Sequence, residues 1–176
     1  MKILKTYKEI VNESNSLTEL SLDQWLWCTN QFGSAFDVDD SGKVYSLTSN
    51  NITVSPSTEK FPVNFANISG DFTLQMAQNI SSLEGSPEEI GGSYTISSCP
   101  KLESLKGISK NISGSIIIEN CPNLKSLDGI PLDFPEENIL FFRPYPYNYN
   151  HDKLIYNWKN GITLDDINTF EKDWEI

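Results

Sequence analysis

The chain has 176 residues, 38% of them hydrophobic and 11% aromatic, which is typical of one globular domain and excludes a disordered chain. The 24 acidic and 13 basic residues give a formal charge of −11. This charge argues against direct binding of nucleic acid or an anionic membrane, since both need clustered lysine and arginine. The negative charge favours a protein partner, such as a basic or nucleic-acid-binding host protein. The alternative is that the charge only keeps a cytoplasmic protein soluble.

No apolar run approaches the roughly 20 residues that span a bilayer. The first residues, MKILKTYKEIVNES, lack the apolar core of a signal peptide. We therefore expect a cytoplasmic protein, with a mature chain whose leader was removed as the alternative. Without a secretion signal, we interpret the Asn-x-Ser/Thr sequons as accidents of an Asn- and Ser-rich sequence. They lie at Asn12, Asn51, Asn67, Asn79 and Asn111.

Residues 1–41 are predicted to form a helical N-terminal cap. Apolar side chains near the start of the chain share one helical face, namely Ile3, Leu4, Tyr7, Ile10 and Val11. A second short helix is expected over 21–30, with Leu22, Trp25 and Leu26 facing inward.

The stretch DVDDSGKV at 37–44 resembles the first half of a calcium-binding loop. Thr48 stands where an EF-hand needs a bidentate glutamate, and the segment leads into a strand rather than a helix. We therefore interpret it as an acidic turn and predict no metal and no cofactor. A metal-dependent enzyme of unfamiliar type, using Asp37, Asp39 and Asp40, is an alternative hypothesis.

A repeat of 22 residues dominates the middle of the chain. GDFTLQMAQNISSLEG, GSYTISSCPKLESLKG and GSIIIENCPNLKSLDG begin at Gly70, Gly92 and Gly114. A fixed period of 20–29 residues indicates a solenoid in which each repeat forms one coil. The predicted fold is α+β: a short right-handed parallel β-solenoid of 22-residue coils with helical caps at both ends.

Apolar residues recur at fixed distances from these glycines, and stacking of the coils would align them in buried columns. The columns are Phe72, Tyr94 and Ile116; Leu74, Ile96 and Ile118; Ile80, Leu102 and Leu124; Leu83, Leu105 and Leu127; and Ile68, Ile90 and Ile112. The alternation in the first two columns predicts strands. Both glycine series, the second being Gly85, Gly107 and Gly129, are expected at turns with positive φ or at close contacts between coils.

Cysteine occupies one small-residue column, formed by Ala77, Cys99 and Cys121. Two thiols without a histidine or a third cysteine nearby make a poor metal site, so we predict a buried structural role. With Cys28 they are too few for a disulfide framework.

GKVYSLTSNNITV, from Gly42, is interpreted as a degenerate first coil that contains an insertion, because 28 residues separate Gly42 from Gly70. The predicted solenoid then covers 42–134 in about four coils, within one compact domain.

Two known patterns resemble this repeat. SLEGSPEEIGG at 82–92 is similar to a leucine-rich-repeat-like family of tailed phages and bacteria with SLEGxPxxVGG units. GSIIIENCPNLKSLDG at 114–129 resembles coils of the L domains of growth-factor receptors and fungal cell-wall proteins. Both resemblances cover about half the chain and imply a right-handed parallel solenoid, and neither transfers a catalytic residue. The lack of a signal peptide and of a disulfide pattern favours the phage or bacterial type.

Residues 135–176 are predicted to form an aromatic segment and a C-terminal helical cap. Thr163 would begin the last helix in a near capping box with Asp166, and Leu164, Ile167, Phe170 and Trp174 would form its apolar face. Before it, FFRPYPYNYNHDKLIYNW at 141–158 contains prolines that oppose regular helix. This segment is either a partner-binding loop or a strap packed along the solenoid.

The sequence contains no recognisable catalytic set, so we predict no enzyme activity. His151, the only histidine, has no nucleophile motif near it, and no phosphate-binding glycine loop is present. The expected function is a protein-interaction module, of the kind with which a phage accessory protein inhibits or modulates a host enzyme or defence factor. An exported carbohydrate- or surface-binding protein of L-domain type is a second alternative.

The predicted partner-binding residues lie on the outer strand face and in the aromatic segment. They are Asp71, Thr73, Gln75, Thr95, Ser97, Ile117, Glu119, Phe142, Arg143, Tyr145, Tyr147 and Tyr149. The near-identical stretches CPKLESLKGI at 99–108 and CPNLKSLDGI at 121–130 add a further expectation. Their shared residues build the coil, so the residues that differ between the copies are candidates for binding.

Overall fold

The structure, a computed structural model, describes residues 20–142 and 151–167. Short strands dominate, with a helix at each end of the described chain. The helices are α1 (Leu22–Phe32) and α2 (His151–Lys159), and a 3₁₀ turn covers Glu136–Asn138. The strands are β1 (Phe36–Val38), β2 (Val44–Ser46), β3 (Ile52–Val54), β4 (Phe72–Gln75), β5 (Glu89–Ile90), β6 (Tyr94–Ser97), β7 (Asn111–Ile112), β8 (Ile116–Glu119) and β9 (Ile139–Phe142).

The main sheet is parallel and has the order β3-β4-β6-β8-β9. Its register pairs Ile52 with Phe72, Phe72 with Tyr94, Tyr94 with Ile116, and Ile116 with Ile139. Successive coils therefore take 20, 22, 22 and 23 residues. The parallel pair β5–β7 forms a second side of the coil, and an antiparallel hairpin, β1–β2, precedes the stack. The predicted α+β solenoid of about four coils is confirmed.

The predicted columns form the core. All fifteen column residues are buried except Ile112, which is partly buried, and most have no exposed surface. Ala77, Cys99 and Cys121 are also buried. Full burial of one aliphatic side chain contributes about 1.5–3 kcal/mol relative to leaving it exposed. Stacking therefore supplies the stabilisation that no single coil has.

Aromatic rings extend the first column toward the N-terminal end. Phe61, Phe65, Phe72 and Tyr94 form successive edge-to-face contacts, with ring centroids 5.1–5.7 Å apart. Tyr94 is completely buried, and its hydroxyl lies 3.0 Å from the Ser86 hydroxyl. This hydrogen bond satisfies the polar atom that burial of a tyrosine would otherwise leave unpaired.

The two glycine series differ in backbone conformation. Gly85, Gly107 and Gly129 have φ of 99°, 87° and 115°, which L-residues rarely adopt. Close stacking holds for both series: a Cβ on Gly114 would lie 2.8 Å from the carbonyl carbon and oxygen of Gly92, and a Cβ on Gly107 would lie closer still to the backbone nitrogen of Glu84. Of the two explanations expected from the sequence, close stacking therefore holds for both series and positive φ for the second.

A third recurring position was not predicted. Met76, Ser98 and Asn120 follow the strands at 22-residue spacing and have φ of 51°, 56° and 50°. The chain turns there in the left-handed conformation that non-glycine residues seldom adopt. Of the three residues only Asn120 is of a type enriched in this conformation, so the sequence carries little periodic signal for this turn.

The first coil starts later than predicted. The Gly70 N–H donates to Asn50 O, just as the Gly92 N–H donates to Gly70 O, so Asn50 and not Gly42 is the counterpart of Gly70. Gly42 lies in the turn of the β1–β2 hairpin, with φ of 80°. The 28-residue spacing therefore reflects this hairpin, and the first coil is two residues shorter than the next rather than longer. Val44 still pairs with Phe65, so β2 adjoins the stack.

Helix α1 covers the first coil, but with a different face from the predicted one. Leu22 and Leu26 are exposed, by 52% and 46%, and Trp25 is only partly buried, whereas Cys28 is completely buried. Trp27 packs edge-to-face against Phe65. Two glutamines fix this orientation, since Gln24 donates to Pro62 O and Gln31 accepts from the Ser55 N–H. The capping box of Ser21 and Gln24 sets the start of the helix.

Helix α2 packs on the last coil. Leu154 and Trp158 are buried, and the Trp158 indole donates to Ile130 O at 3.1 Å. Beyond α2, Thr163 and Asp166 make the reciprocal bonds of a capping box, as predicted. Part of 141–158 is therefore strand or helix and covers the core. The predicted apolar faces formed by Ile3, Leu4, Tyr7, Ile10 and Val11 and by Phe170 and Trp174 lie outside the described residues.

Replacing Gly114 with alanine tests the close stacking of the coils. The added Cβ would clash with backbone atoms of Gly92, which cannot move without separating two coils. We expect a loss of about 1–3 kcal/mol in the free energy of unfolding, measured by urea denaturation. Ser113→Ala, at the exposed neighbouring residue, is the control and is expected to change it by less than about 0.5 kcal/mol. Equal stability of both variants would contradict the stacking argument.

Candidate interaction surface

The outward side chains of the main sheet form a continuous surface, here called the strand face. One row runs across all five strands in register and changes from hydroxyl to apolar side chains. It contains Thr53, Thr73, Thr95, Ile117 and Leu140. A second row contains Gln75, Ser97, Glu119 and Phe142. Stacked strands about 4.8 Å apart place these side chains in a regular array.

The structure brings seven of the predicted partner-binding residues together with Phe142 on or beside this face. Strands β4, β6 and β8 carry Thr73, Gln75, Thr95, Ser97, Ile117 and Glu119, and Asp71 immediately precedes β4. Phe142, 52% exposed, belongs to strand β9, so the main sheet extends into the aromatic segment. The other predicted members, Arg143, Tyr145, Tyr147 and Tyr149, lie outside the described residues.

Asp71 has a structural role that the sequence did not reveal. Its carboxylate accepts from the Ser93 N–H at 2.7 Å, while its own N–H donates to the Asn51 side chain at 2.8 Å. The Ser93 hydroxyl in turn accepts from the Ser115 N–H at 3.1 Å. Side-chain oxygens at one coil position thus bind the backbone of the next coil, which fixes one edge of the strand face.

The strand face carries little charge. Glu119 is its one carboxylate within a strand, and it accepts from the Ser97 hydroxyl at 3.3 Å. Ile117, Leu140 and Phe142 give one end of the face an apolar character, and Met76, 61% exposed, lies just past the end of β4. A polar, nearly neutral surface with one apolar end suits contact with another macromolecule better than acid–base chemistry.

At two of the three positions where the twin stretches differ, the two residues pair with each other. Lys106 Nζ lies 3.3 Å from Asp128, and Lys125 Nζ lies 3.8 Å from Glu103. The hydrogen bond to Asp128 raises the pKa of Lys106 above its ordinary value. Identical copies would stack like charges at each of these positions, which is destabilising. These two differences therefore hold adjacent coils together, and a role of the differing residues in binding stays a prediction.

The three thiols are buried and free, as predicted for structural cysteines. Burial raises the pKa of Cys28 to about 12. The Cys99 thiol, beside Cys121 in the adjacent coil, has a pKa raised first by that contact and then by burial. Both thiols of the pair contact backbone carbonyls: Cys99 reaches Ser97 O at 3.5 Å and Cys121 reaches Glu119 O at 3.4 Å. The raised pKa values keep Cys28 and Cys99 protonated near neutral pH, a state that suits packing and disfavours nucleophilic attack.

The acidic stretch forms the turn of the β1–β2 hairpin. One carboxylate oxygen of Asp39 accepts from the N–H groups of Ser41 and Lys43 and from the Ser41 hydroxyl. These bonds lower the pKa of Asp39. The carboxylate thus shapes the backbone of the turn. Across the described ranges, no three His, Cys, Asp or Glu side chains come together as a metal site would require.

Sequon asparagines take part in the stacking. The Asn67 amide donates to Glu89 at 3.0 Å, and the Asn79 amide donates to Ser57 O at 2.9 Å. In four of the five sequons the asparagine is followed by an isoleucine of the coil, for example Ile68 and Ile80, which are buried. These four sequons therefore arise where an inward isoleucine stands between two polar residues.

His151 is the first residue of α2, and its side chain lies outside the described set. None of the described helices has the length and apolar character needed to cross a membrane. Comparison with protein-family models, curated proteins and solved structures found no match to this chain.

A charge exchange tests the pairing between coils. Lys106→Glu would place a carboxylate beside Asp128 and Asp165, which lie 3.3 and 3.4 Å from the lysine nitrogen. We expect the melting temperature to fall by about 2–4 °C at low salt, and by less at 1 M salt because exposed charges are screened. Adding Asp128→Lys should restore part of the loss. A double variant no more stable than the single one would argue against the pairing.

Thiol accessibility tests the buried state of the cysteines. At pH 8 a thiol with the pKa of Cys28 is ionised to about one part in ten thousand, and access by reagent is blocked as well. We expect no reaction of the native protein with Ellman's reagent over minutes, and three thiols per chain after unfolding in guanidinium. Rapid labelling of the native protein would show that the coils open readily or that the thiols are accessible.

Proposed function

We propose that the protein is a non-enzymatic interaction module that binds another protein through the strand face. The further proposal, suggested by the resemblance of SLEGSPEEIGG to repeats of phage and bacterial proteins, is that it is a phage accessory protein acting in the host cytoplasm. There it would inhibit or modulate a host enzyme or defence factor. The single observation that carries the proposal is the regular, outward-facing array on the five-stranded sheet.

The size of the strand face limits the mode of binding. Five strands about 4.8 Å apart span roughly 20 Å, and four residues along a strand span roughly 13 Å. This area is smaller than the roughly 800 Å² that each partner contributes to a stable complex. The interface must therefore extend past the sheet. One end of the strand face is apolar, with Ile117, Leu140 and Phe142. We therefore expect the interface to extend past this end, on the side of strand β9.

The strand face is rigid before a partner arrives. Each strand is hydrogen-bonded to its neighbours, and the alternate side chains of the same strands, such as Leu74 and Ile96, are fully buried. Side-chain bonds such as that of Ser97 with Glu119 restrict the outer layer as well. A preorganised surface loses little conformational entropy on binding, which compensates for its modest area.

The strand face has one carboxylate within its strands, that of Glu119, and other acidic residues lie elsewhere on the coils. Glu84, Glu88 and Glu89 are exposed at the corners of the second coil, and Lys43 pairs with Glu88 at 3.7 Å. With a formal charge of −11, the protein would attract a basic or nucleic-acid-binding protein over long range. The strand face would then supply the short-range contacts. We do not propose direct binding of nucleic acid, which the net charge opposes.

Affinity capture with matched variants tests this function. Ile117→Arg places a charged side chain at the centre of the strand face and should abolish recovery of a stoichiometric partner from host lysate. Asn111→Arg, on the separate β5–β7 sheet, is the control and should leave recovery unchanged. Thermal melting would verify that both variants fold. Absence of any partner with the native sequence, or equal capture by both variants, would exclude the strand face as the binding site.

A further inference from the structure

One side of the third coil departs from the repeating hydrogen-bond pattern. In the second coil, the N–H groups of Ser81 and Ser82 both donate to Glu59 O, 22 and 23 residues earlier. In the fourth coil, the N–H groups of Lys125 and Ser126 donate in the same way to Glu103 O. These donors therefore point at the preceding coil.

In the third coil the corresponding N–H groups, those of Glu103 and Ser104, have no partner among the described residues. The expected acceptor would be Ser81 O. The second and third coils instead join nearby through a bond in the opposite direction, from the Leu83 N–H to Lys106 O at 3.0 Å. The pattern is thus interrupted between two coils that are regular elsewhere.

The hydroxyl of Ser104 is also unpaired within the described part of the chain. Its counterparts accept backbone hydrogen bonds: Ser82 Oγ accepts from the Glu84 N–H, and Ser126 Oγ accepts from the Asp128 N–H at 3.0 Å. Ser104 keeps 5% of its surface exposed, and its hydroxyl makes no hydrogen bond to a protein group among the described residues. This hydroxyl is therefore open to solvent and available to a ligand.

A groove opens at this place. It has a volume of about 420 Å³ and is lined by Ser81, Lys101, Glu103, Ser104 and Asn123, among others. Lys101 Nζ is held at its edge by a 2.8 Å bond to the Asn79 side chain. The Glu103 carboxylate pairs with Lys125, which offsets its negative charge. The residues that carry two backbone N–H donors, one hydroxyl and one ammonium thus line one groove.

We propose that this groove binds a carboxylate group. Successive backbone N–H groups form anion-binding concavities, and a carboxylate has two oxygens that together accept about four hydrogen bonds. The ammonium of Lys101 favours an anionic acceptor over a neutral amide. A phosphate dianion fits less well, because one ammonium, that of Lys101, would face two negative charges in a protein with an overall charge of −11. The carboxylate belongs either to a small free acid or to the C-terminus of a peptide.

Amide signals in ¹⁵N–¹H NMR spectra, titrated with sodium acetate and with sodium chloride as the salt control, test the proposal. We expect saturable shifts of the Glu103 and Ser104 amides with acetate, and at least tenfold weaker binding of acetamide, its neutral counterpart. N-acetylglycine serves as the peptide-terminus probe. Tighter binding of N-acetylglycine than of acetate would assign the site to a chain terminus, and the reverse to a small free acid. No saturable shift, or an equal response to acetamide, would overturn the proposal.

Two serine variants make the test specific. Ser104→Ala removes a hydroxyl without a protein partner, so it should weaken acetate binding at least fivefold and leave the melting temperature unchanged. Ser126→Ala removes a hydroxyl that accepts a backbone hydrogen bond, so it should lower the melting temperature and leave acetate binding within twofold. Acetate binding that is unchanged in Ser104→Ala would overturn the assignment of the site to this groove.

Discussion

The close approach of successive backbones at one corner of the coil constrains the rest of the structure. The Gly114 N–H donates to Gly92 O, and the Gly92 N–H donates to Gly70 O, both at 2.9 Å. At this separation a side chain on either partner would clash with backbone atoms of its neighbour. Each coil must therefore repeat the previous one position by position, and every side chain meets its own counterpart in the next coil. Period, core columns and strand register all follow from that contact.

Stacking of equivalent positions has opposite consequences for different side chains. Isoleucine on isoleucine, as at Ile96 and Ile118, buries apolar surface and fills the core. Equal charges at the same spacing would repel, so adjacent coils carry opposite ones, as Lys106 and Asp128 do. Neutral polar side chains form hydrogen bonds to the backbone of the next coil instead, as the Ser93 hydroxyl does when it accepts from the Ser115 N–H. Variation between repeats is therefore as much a requirement of this fold as repetition is.

The sequence reveals those parts of the fold that depend on burial at a fixed period. The apolar columns were predictable because every coil needs an apolar residue at the same place, as at Leu83 and Leu105. The left-handed turn at Met76 and Asn120 was not, because stacking imposes this conformation on unrelated side chains. The inward face of α1 was also predicted wrongly. Leu22 is apolar and yet exposed, since the orientation of this helix is set by Gln24 and by Trp27 packing on the first coil. Tertiary contacts of single residues leave no periodic signal.

The two candidate sites differ in how far the sequence reveals them. The predicted members of the strand face were visible in the sequence because outward residues alternate with core residues along each strand, as Thr95 does with Tyr94 and Ile96. The interrupted hydrogen bonding at Ser104 was invisible, because this serine has counterparts in the second and fourth coils and only the hydrogen bonds differ. Three other residues of the groove, Lys101, Glu103 and Asn123, differ between the twin stretches and were candidates for that reason. In a solenoid, most side chains and backbone groups that recur in every coil make contacts with the neighbouring coils. A group can bind an external ligand where it faces away from the stack, or where the hydrogen bonds between coils are interrupted.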